Sequence, residues 1–214
     1  MIRGKTTSLV ALCVYIFHKT ANQSRFYMKR SFDLAVAIIG LVLASPIIAG
    51  CIVAIRMTSP GPAIFRQTRV GRHERPFVCL KLRTMHRDTR DAPSHEMGAS
   101  AVTPLGRHLR RLKLDELPQL WNILRGEMSF VGPRPCLPSQ TALVKARRRH
   151  GLDRLRPGIT GISQVAGVDM SDPERLATLD ATYLQNMSLG TDIRLILATV
   201  LGAGQGDRVQ SKSS

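Results

Sequence analysis

Two adjacent carboxylates, Asp115 and Glu116, follow a run of cations in the stretch TPLGRHLRRLKLDELPQLWNILR, residues 103–125. Arg110, Arg111 and Lys113 favour the ionised form of a neighbouring acid. An ionised carboxylate can attack phosphorus, accept a proton or bind a hard divalent cation. The same spacing predicts a helix over 115–125, with Asp115 as N-cap and Pro118 in the first turn, where its missing N–H costs nothing. Leu117, Leu120, Trp121 and Leu124 would form its buried stripe. Asp115 and Glu116 then read as a cap and a first-turn acid, at a positive helix end that also suits a phosphate. Spacing alone leaves both readings open.

Two proline-flanked arginines lie downstream, in Gly132-Pro-Arg-Pro135 and in Arg156-Pro-Gly-Ile-Thr-Gly161. Both segments read as rigid turns. A constrained guanidinium suits bidentate phosphate binding better than a flexible lysine. Upstream, KLRTM (81–85) adds Lys81 and Arg83.

These residues must be held by the surrounding elements, and the most conspicuous of these is apolar. Leu34 to Ile55 is a run of 22 residues without a charge, long enough as a helix to cross about 30 Å of hydrocarbon. Ser45-Pro46 interrupts it midway. Proline removes a backbone donor and clashes with the preceding turn, while the Ser45 hydroxyl can satisfy a freed carbonyl. Six basic residues and one acid lie in residues 1–33, and 25 basic against 14 acidic residues follow Ile55. Both flanks are cationic, and cationic flanks stay on the cytoplasmic side. A re-entrant helix-break-helix over 28–57 satisfies both at once; a kinked span is the alternative. Residues 1–27, with a ten-residue apolar run at 8–17, read as a variable extension.

Thr58 to Pro62 is a turn cluster. Ala63–Gln67 and Phe77–Leu82 favour strands and read as a hairpin. Residues 86–101 are polar without apolar period and read as a mobile loop or lid. Thr103-Pro104 predicts a helix start, with Leu105, Leu109 and Leu112 as the stripe of a cationic amphipathic helix. Asp172-Pro173 predicts another helix to about Met187, and Thr191 to about Leu201 a last one. Residues 58–205 form the catalytic domain on this reading, and 206–214 a disordered tail. The fold class is α+β, mostly helical with a small hairpin.

The chain has 214 residues, 31 Lys and Arg against 15 Asp and Glu, and 43% apolar residues, so it folds and its partners are anionic. Cys13, Cys51, Cys79 and Cys136 show no CxxC pair, which argues against a zinc site or a disulfide framework. Aromatics are only 5% of residues, which weakens a base-stacking platform. A membrane-tethered basic module that binds nucleic acid without catalysis is the alternative class of function; no nucleic-acid motif supports it.

In order, KRSFDL (29–34), Ser45-Pro46, TSPGPAIFRQTRVG (58–71), KLRTM, the long block 103–135 and RPGITGISQV (156–165) resemble the small monotopic phosphoglycosyl transferases. These are also called bacterial sugar transferases or undecaprenyl-phosphate sugar phosphotransferases, and the resemblance covers roughly Lys29 to Val200. It implies transfer of a sugar-1-phosphate from a UDP-sugar to polyprenyl phosphate, with UMP released and Mg²⁺ required. It also implies an enzyme at the cytoplasmic face of the bacterial inner membrane, in contact with anionic lipids, that starts a surface glycan. By motif, Asp115 corresponds to the nucleophile, which forms a phosphosugar-aspartyl intermediate and binds the metal; Glu116 corresponds to a metal-placing group or a base. Lys81, Arg110, Arg134 and Arg156 match phosphate- or nucleotide-holding positions, and Gln164 a substrate contact. Ile162 and Ser163 depart from the tryptophan and alanine common at those places. No nucleic acid is expected as partner, and self-association into a homo-oligomer is left open.

Overall fold

A computed structural model describes residues 3–87, 89, 99–168 and 170–203, with side chains from Arg25 onward. Helix α1 (Arg3–Thr58) carries the apolar run. The sequence places a break at Ser45-Pro46; the backbone is helical on both sides, and α1 is one element through Pro46. Proline at 46 leaves the carbonyl four residues back without its usual donor. Ser45 Oγ donates to that same carbonyl, Val42 O, at 2.8 Å. The segment Arg25–Thr58 is long and apolar enough to cross a membrane by length and composition.

One face of α1 is not free. Lys29 pairs with Asp192 at 2.7 Å, Arg30 donates to Ile123 O and Leu124 O, and buried Asp33 accepts from Phe130 N. Beyond these polar pins, Ala37, Leu41, Ala44 and Ile48 pack with Leu120, Ile123 and Met128. Further on, Cys51, Ile52 and Ile55 pack with Ala63, Leu82 and Leu109. The three- and four-residue spacing keeps these on one side. The opposite side exposes Ile38, Ile39, Val42, Leu43, Ile47 and Val53, an apolar strip far larger than scattered surface residues produce.

The predicted hairpin forms, as β1 (Ile64–Val70) and β2 (Pro76–Leu82), antiparallel with Phe65 opposite Lys81. A 3₁₀ turn at Arg72–Glu74 joins them, with His73 at φ 54°. The predicted N-cap at Thr103 also forms: its side chain accepts from Gly106 N at 2.9 Å and starts α2 (Pro104–Arg111). Leu109 is buried but Leu112 is exposed, because α2 ends at Arg111, ahead of the last leucine of the stripe.

After α3 (Gln119–Leu124) comes β3 (Ser129–Val131), then α4 (Thr141–Arg149), β4 (Gly158–Thr160) and the short α5 (Ile162–Val165). The segment from Arg156 is therefore not a turn throughout: Gly158–Thr160 is a strand, paired in parallel with β3. The two glycine-proline segments lie back to back. A Cβ on Gly158 would meet Gly132 N at 2.2 Å, and one on Gly161 would meet Gly132 O at 2.4 Å. Helix α6 (Pro173–Gln185) starts at the predicted cap, Asp172 accepting from Arg175 N, and α7 (Leu189–Val200) at Ser188. Around β3 and β4, Tyr183 of α6, Leu195 of α7 and Met187 between them close a second core with Leu152 and Leu155.

Cys79 and Cys136 are buried free thiols and Cys51 is half-buried, as small apolar residues; Cys13 lies outside the described side chains. The loop expected at 86–101 falls mostly on residues 88 and 90–98, outside the described residues. Its two ends are tied together by His86 N to Ala101 O, 3.0 Å, and by a bridge between Met85 and Val102. The tail after Ala203 also lies outside them.

Candidate active site

Asp115 does not cap a helix. The predicted helix over 115–125 divides: Leu114–Glu116 is a separate 3₁₀ turn, and α3 begins at Gln119 with Pro118 as its N-cap residue. Lys113 precedes the turn in the left-handed region, φ 55°, a conformation uncommon for a side chain with a Cβ. Its ammonium is anchored on Thr199 O in the last turn of α7 and on Ala203 O just beyond the helix, both at 3.3 Å. That anchoring helps offset the backbone strain and sets the direction in which Asp115 leaves the chain. Asp115 is 6% exposed, and it is the cap residue of neither helical turn. The later start of α3 also changes its phase: Gln119, Leu120, Asn122 and Ile123 are buried, and Trp121 is turned out at 49% exposure.

Glu116 joins two elements far apart in sequence. Its Oε1 accepts from Lys81 Nζ at 3.1 Å and from Arg134 Nη2 at 3.2 Å. Lys81 comes from β2 and Arg134 from the Gly-Pro-Arg-Pro segment after β3. One carboxylate oxygen thus fixes both cationic heads beside Asp115, through charge-assisted bonds. Arg134 is held from behind as well: Arg147 of α4 donates to its carbonyl at 2.8 Å and pairs with buried Asp180 at 3.3 Å. Burial raises the Asp180 pKa above its ordinary value despite Arg147 and the Ser163 hydroxyl, which donates to it at 2.7 Å.

Asp115, Lys81 and Arg110 line one cavity of about 830 Å³, together with Arg56, Arg66, Arg69, Arg83 and Arg87. Among the described residues, seven Lys and Arg side chains and one acid therefore line this space, a field suited to a polyanionic ligand. Its rim is tight. Arg83 binds Ser59 O and Pro60 O, each at 2.8 Å, closing the turn after α1. Gly61, at φ +104°, leaves room for that guanidinium: a Cβ there would lie 2.7 Å from Arg83 Nη1. Gly106 allows α2 to approach the end of β2, since its Cβ would stand 2.1 Å from Thr84 O. Ile52 and Arg56 of α1 border the same cavity, so the membrane-length helix forms one wall of it.

Of the residues singled out in the sequence, Lys81, Arg110, Arg134, Asp115 and Glu116 are brought together. Arg156 and Gln164 are not. Arg156 lines a different crevice with Lys29, Arg30 and Arg72, and its Nε donates to Gly126 O at 2.8 Å. Gln164 donates to Ile159 O at 3.0 Å, next to its own turn. Arg66 and Arg69 are not among the site residues expected from the sequence, although both lie in the block 58–71 that carries the family resemblance.

Among the described residues no three His, Cys, Asp or Glu side chains gather as a metal cage. Asp115 on a cation-lined cavity fits the other way of holding Mg²⁺, through one carboxylate plus substrate oxygens and waters.

Residues 24–205 match the profile of the Bacterial sugar transferase family. The chain belongs to this family. It is 42% identical over 182 residues to the UDP-glucose:undecaprenyl-phosphate glucose-1-phosphate transferase of Caulobacter vibrioides, covering 80% of this chain and 68% of that protein. It is 38% identical to the undecaprenyl-phosphate glucose phosphotransferase of Komagataeibacter xylinus, over 80% of this chain and 35% of the longer relative. Against the undecaprenyl-phosphate galactose phosphotransferase of Salmonella typhimurium the figures are 31%, 86% and 42%. The family member described here is thus a transferase, whose relatives bear names of undecaprenyl-phosphate sugar phosphotransferases.

Proposed function

We propose that this sugar transferase moves a sugar-1-phosphate from a UDP-sugar to a polyprenyl phosphate, using Asp115 as nucleophile. An Asp115 oxygen attacks the sugar-bearing phosphorus; the bond from that phosphorus to the bridging oxygen breaks, and UMP departs with that oxygen. An oxygen of the polyprenyl phosphate then attacks the same phosphorus, the bond to Asp115 breaks, and the carboxylate is restored. The observation that carries this reading is a buried carboxylate, outside the cap positions of both helical turns, on a cavity lined among the described residues by seven cations. A carboxylate and a diphosphate repel each other; Lys81 and Arg110 on the same cavity, and Arg134 through Glu116, would offset that charge. Mg²⁺ held by Asp115 and diphosphate oxygens would supply further neutralisation.

Glu116 fits a positioning role better than a base. Its Oε1 is already engaged by Lys81 and Arg134, so accepting a proton there would compete with two charge-assisted bonds.

The arrangement of α1 supports a membrane anchor that returns to its own side, with catalysis at the cytoplasmic face. From Phe26 to Ile55 its inner face packs on the catalytic domain. A straight crossing would carry α3 and the hairpin into hydrocarbon, where open sheet edges and arginines are costly. A helix folded back at the interface lets a water-borne nucleotide sugar and a lipid-borne phosphate reach one cavity.

The test is intact-protein mass spectrometry during turnover with a UDP-sugar panel and polyprenyl phosphate. The wild type should gain one sugar-phosphate, and Asp115→Asn should lose adduct and UMP release together while keeping its thermal transition. An Asp115→Asn protein that still forms the adduct would remove Asp115 from this role.

A further inference from the structure

A second cationic crevice lies apart from the cavity at Asp115, walled by Lys29, Arg30, Arg72, Arg154 and Arg156. These come from the start of the apolar helix, the turn of the hairpin and the segment entering β4. Lys29 is neutralised by Asp192. The four guanidiniums are not: among the described residues no ion pair joins any of them to a carboxylate.

Uncharged carbonyls hold them instead. Arg30 donates to Ile123 O and Leu124 O, Arg72 Nε to Arg154 O at 2.8 Å, Arg154 Nε to Gly151 O, and Arg156 Nε to Gly126 O. The acid in the crevice, Asp33, accepts from Phe130 N. Fixing several like charges around one space is unfavourable unless an anion joins them. The Arg156 pKa is lowered chiefly by burial and then by the Arg30 and Arg72 charges, against the opposing pull of Asp33.

We propose that this crevice is a binding site for a phosphate group, held by Arg72 and Arg156 and distinct from the site of sugar transfer. The enclosed space is about 20 Å³, enough for about one water-sized atom. It fits a phosphate oxygen, with the rest of the group outside, and excludes a nucleobase or sugar. With each Nε engaged by a backbone carbonyl, the Nη donors of Arg72 and Arg156 remain for a phosphate, which a guanidinium fork suits. Tyr27 and Met28, on α1 immediately before Lys29, are 65% and 59% exposed. An amphipathic aromatic there is characteristic of headgroup depth, so a phospholipid headgroup and a free phosphate are the two sources of the same chemistry. The inference does not depend on the transferase reading, and its test uses neither substrate.

The full chain in a neutral detergent is titrated with inorganic phosphate, short-chain phosphatidylglycerol and short-chain phosphatidylcholine, and bound ligand is read by native mass spectrometry. Arg72→Gln, Arg156→Gln and Arg194→Gln are compared; Arg194 is exposed on α7 and outside the crevice. Wild type should prefer phosphatidylglycerol to phosphatidylcholine, and Arg72→Gln and Arg156→Gln should each weaken binding about tenfold, the worth of one charge-assisted contact. Arg194→Gln should bind as wild type. Binding of phosphatidylglycerol alone assigns the site to a headgroup; equal binding of inorganic phosphate assigns it to phosphate from either source. No binding of either, or equal weakening by Arg194→Gln, would overturn the proposal. Arg72 sits in a surface turn, so its variant still reports if Arg156→Gln does not fold; wild-type affinity in that variant would also overturn it.

Discussion

Asn122 is the residue through which fold and site are most directly coupled. It is fully buried, and its amide completes the outer edge of β2. Leu80 N donates to its Oδ1 at 3.0 Å, and its Nδ2 donates to Val78 O and to Glu127 Oε2, both at 2.7 Å. A side chain thus does what a third strand would do for an edge. Lys81, which holds Glu116, is the next residue along that edge. Asn122→Ala removes two neutral bonds and one to a carboxylate, and leaves Leu80 N and Val78 O without their side-chain partner. The expected cost is about 3–4 kcal/mol, or roughly 10 °C in the thermal midpoint for a chain of this size. Below that midpoint the fold persists, but Lys81 loses its fixed position, and UMP release should fall roughly tenfold to a hundredfold. Differential scanning fluorimetry in detergent and a UMP-release assay measure the two effects. A midpoint within about 3 °C of wild type, under about 1.5 kcal/mol, would refute the edge-completion argument; a lowered midpoint with full turnover would refute the link to Lys81.

Pro46→Leu restores the backbone donor to Val42 O and, on the re-entrant reading, should expose residues 1–28 on the far side of the bilayer in a tag-protease assay; unchanged topology would show that proline is not the determinant. The raised pKa of Asp180 means that the folded state holds its proton to higher pH than the unfolded chain. Between the ordinary carboxylate value and that raised value, stability therefore falls as pH rises, and it levels off above. Asp180→Asn should remove that slope from the pH dependence of the thermal midpoint relative to wild type, and an identical slope would count against the assignment. Chelation by EDTA should stop UMP release, with recovery on adding Mg²⁺; undiminished release would remove the metal from the scheme.

Local signals in the sequence were read well where one residue decides one conformation. Thr103-Pro104 and Asp172-Pro173 cap the helices they announce, the hairpin pairs, and Ser45 satisfies the carbonyl that Pro46 strands. The strand pair β3–β4 was not legible, because three-residue strands show no periodicity and their pairing depends on glycines 132, 158 and 161 meeting across the chain. The DELP segment divides where the sequence predicts one helix for a related reason: whether Asp115 occupies a helix-cap position turns on Lys113, whose strained backbone is held by Thr199 of α7, far along the chain.

The sequence by itself determined the chemistry on offer: two carboxylates among arginines, a membrane-length helix interrupted by proline, and phosphate-suited cations. Tertiary structure alone decided their grouping. It joined Lys81 and Arg134 on one oxygen of Glu116, and it carried Arg156 to a crevice of its own. Side-chain type is local information, whereas the meeting of charges is set by backbone close approaches and buried carbonyl partners drawn from distant parts of the chain.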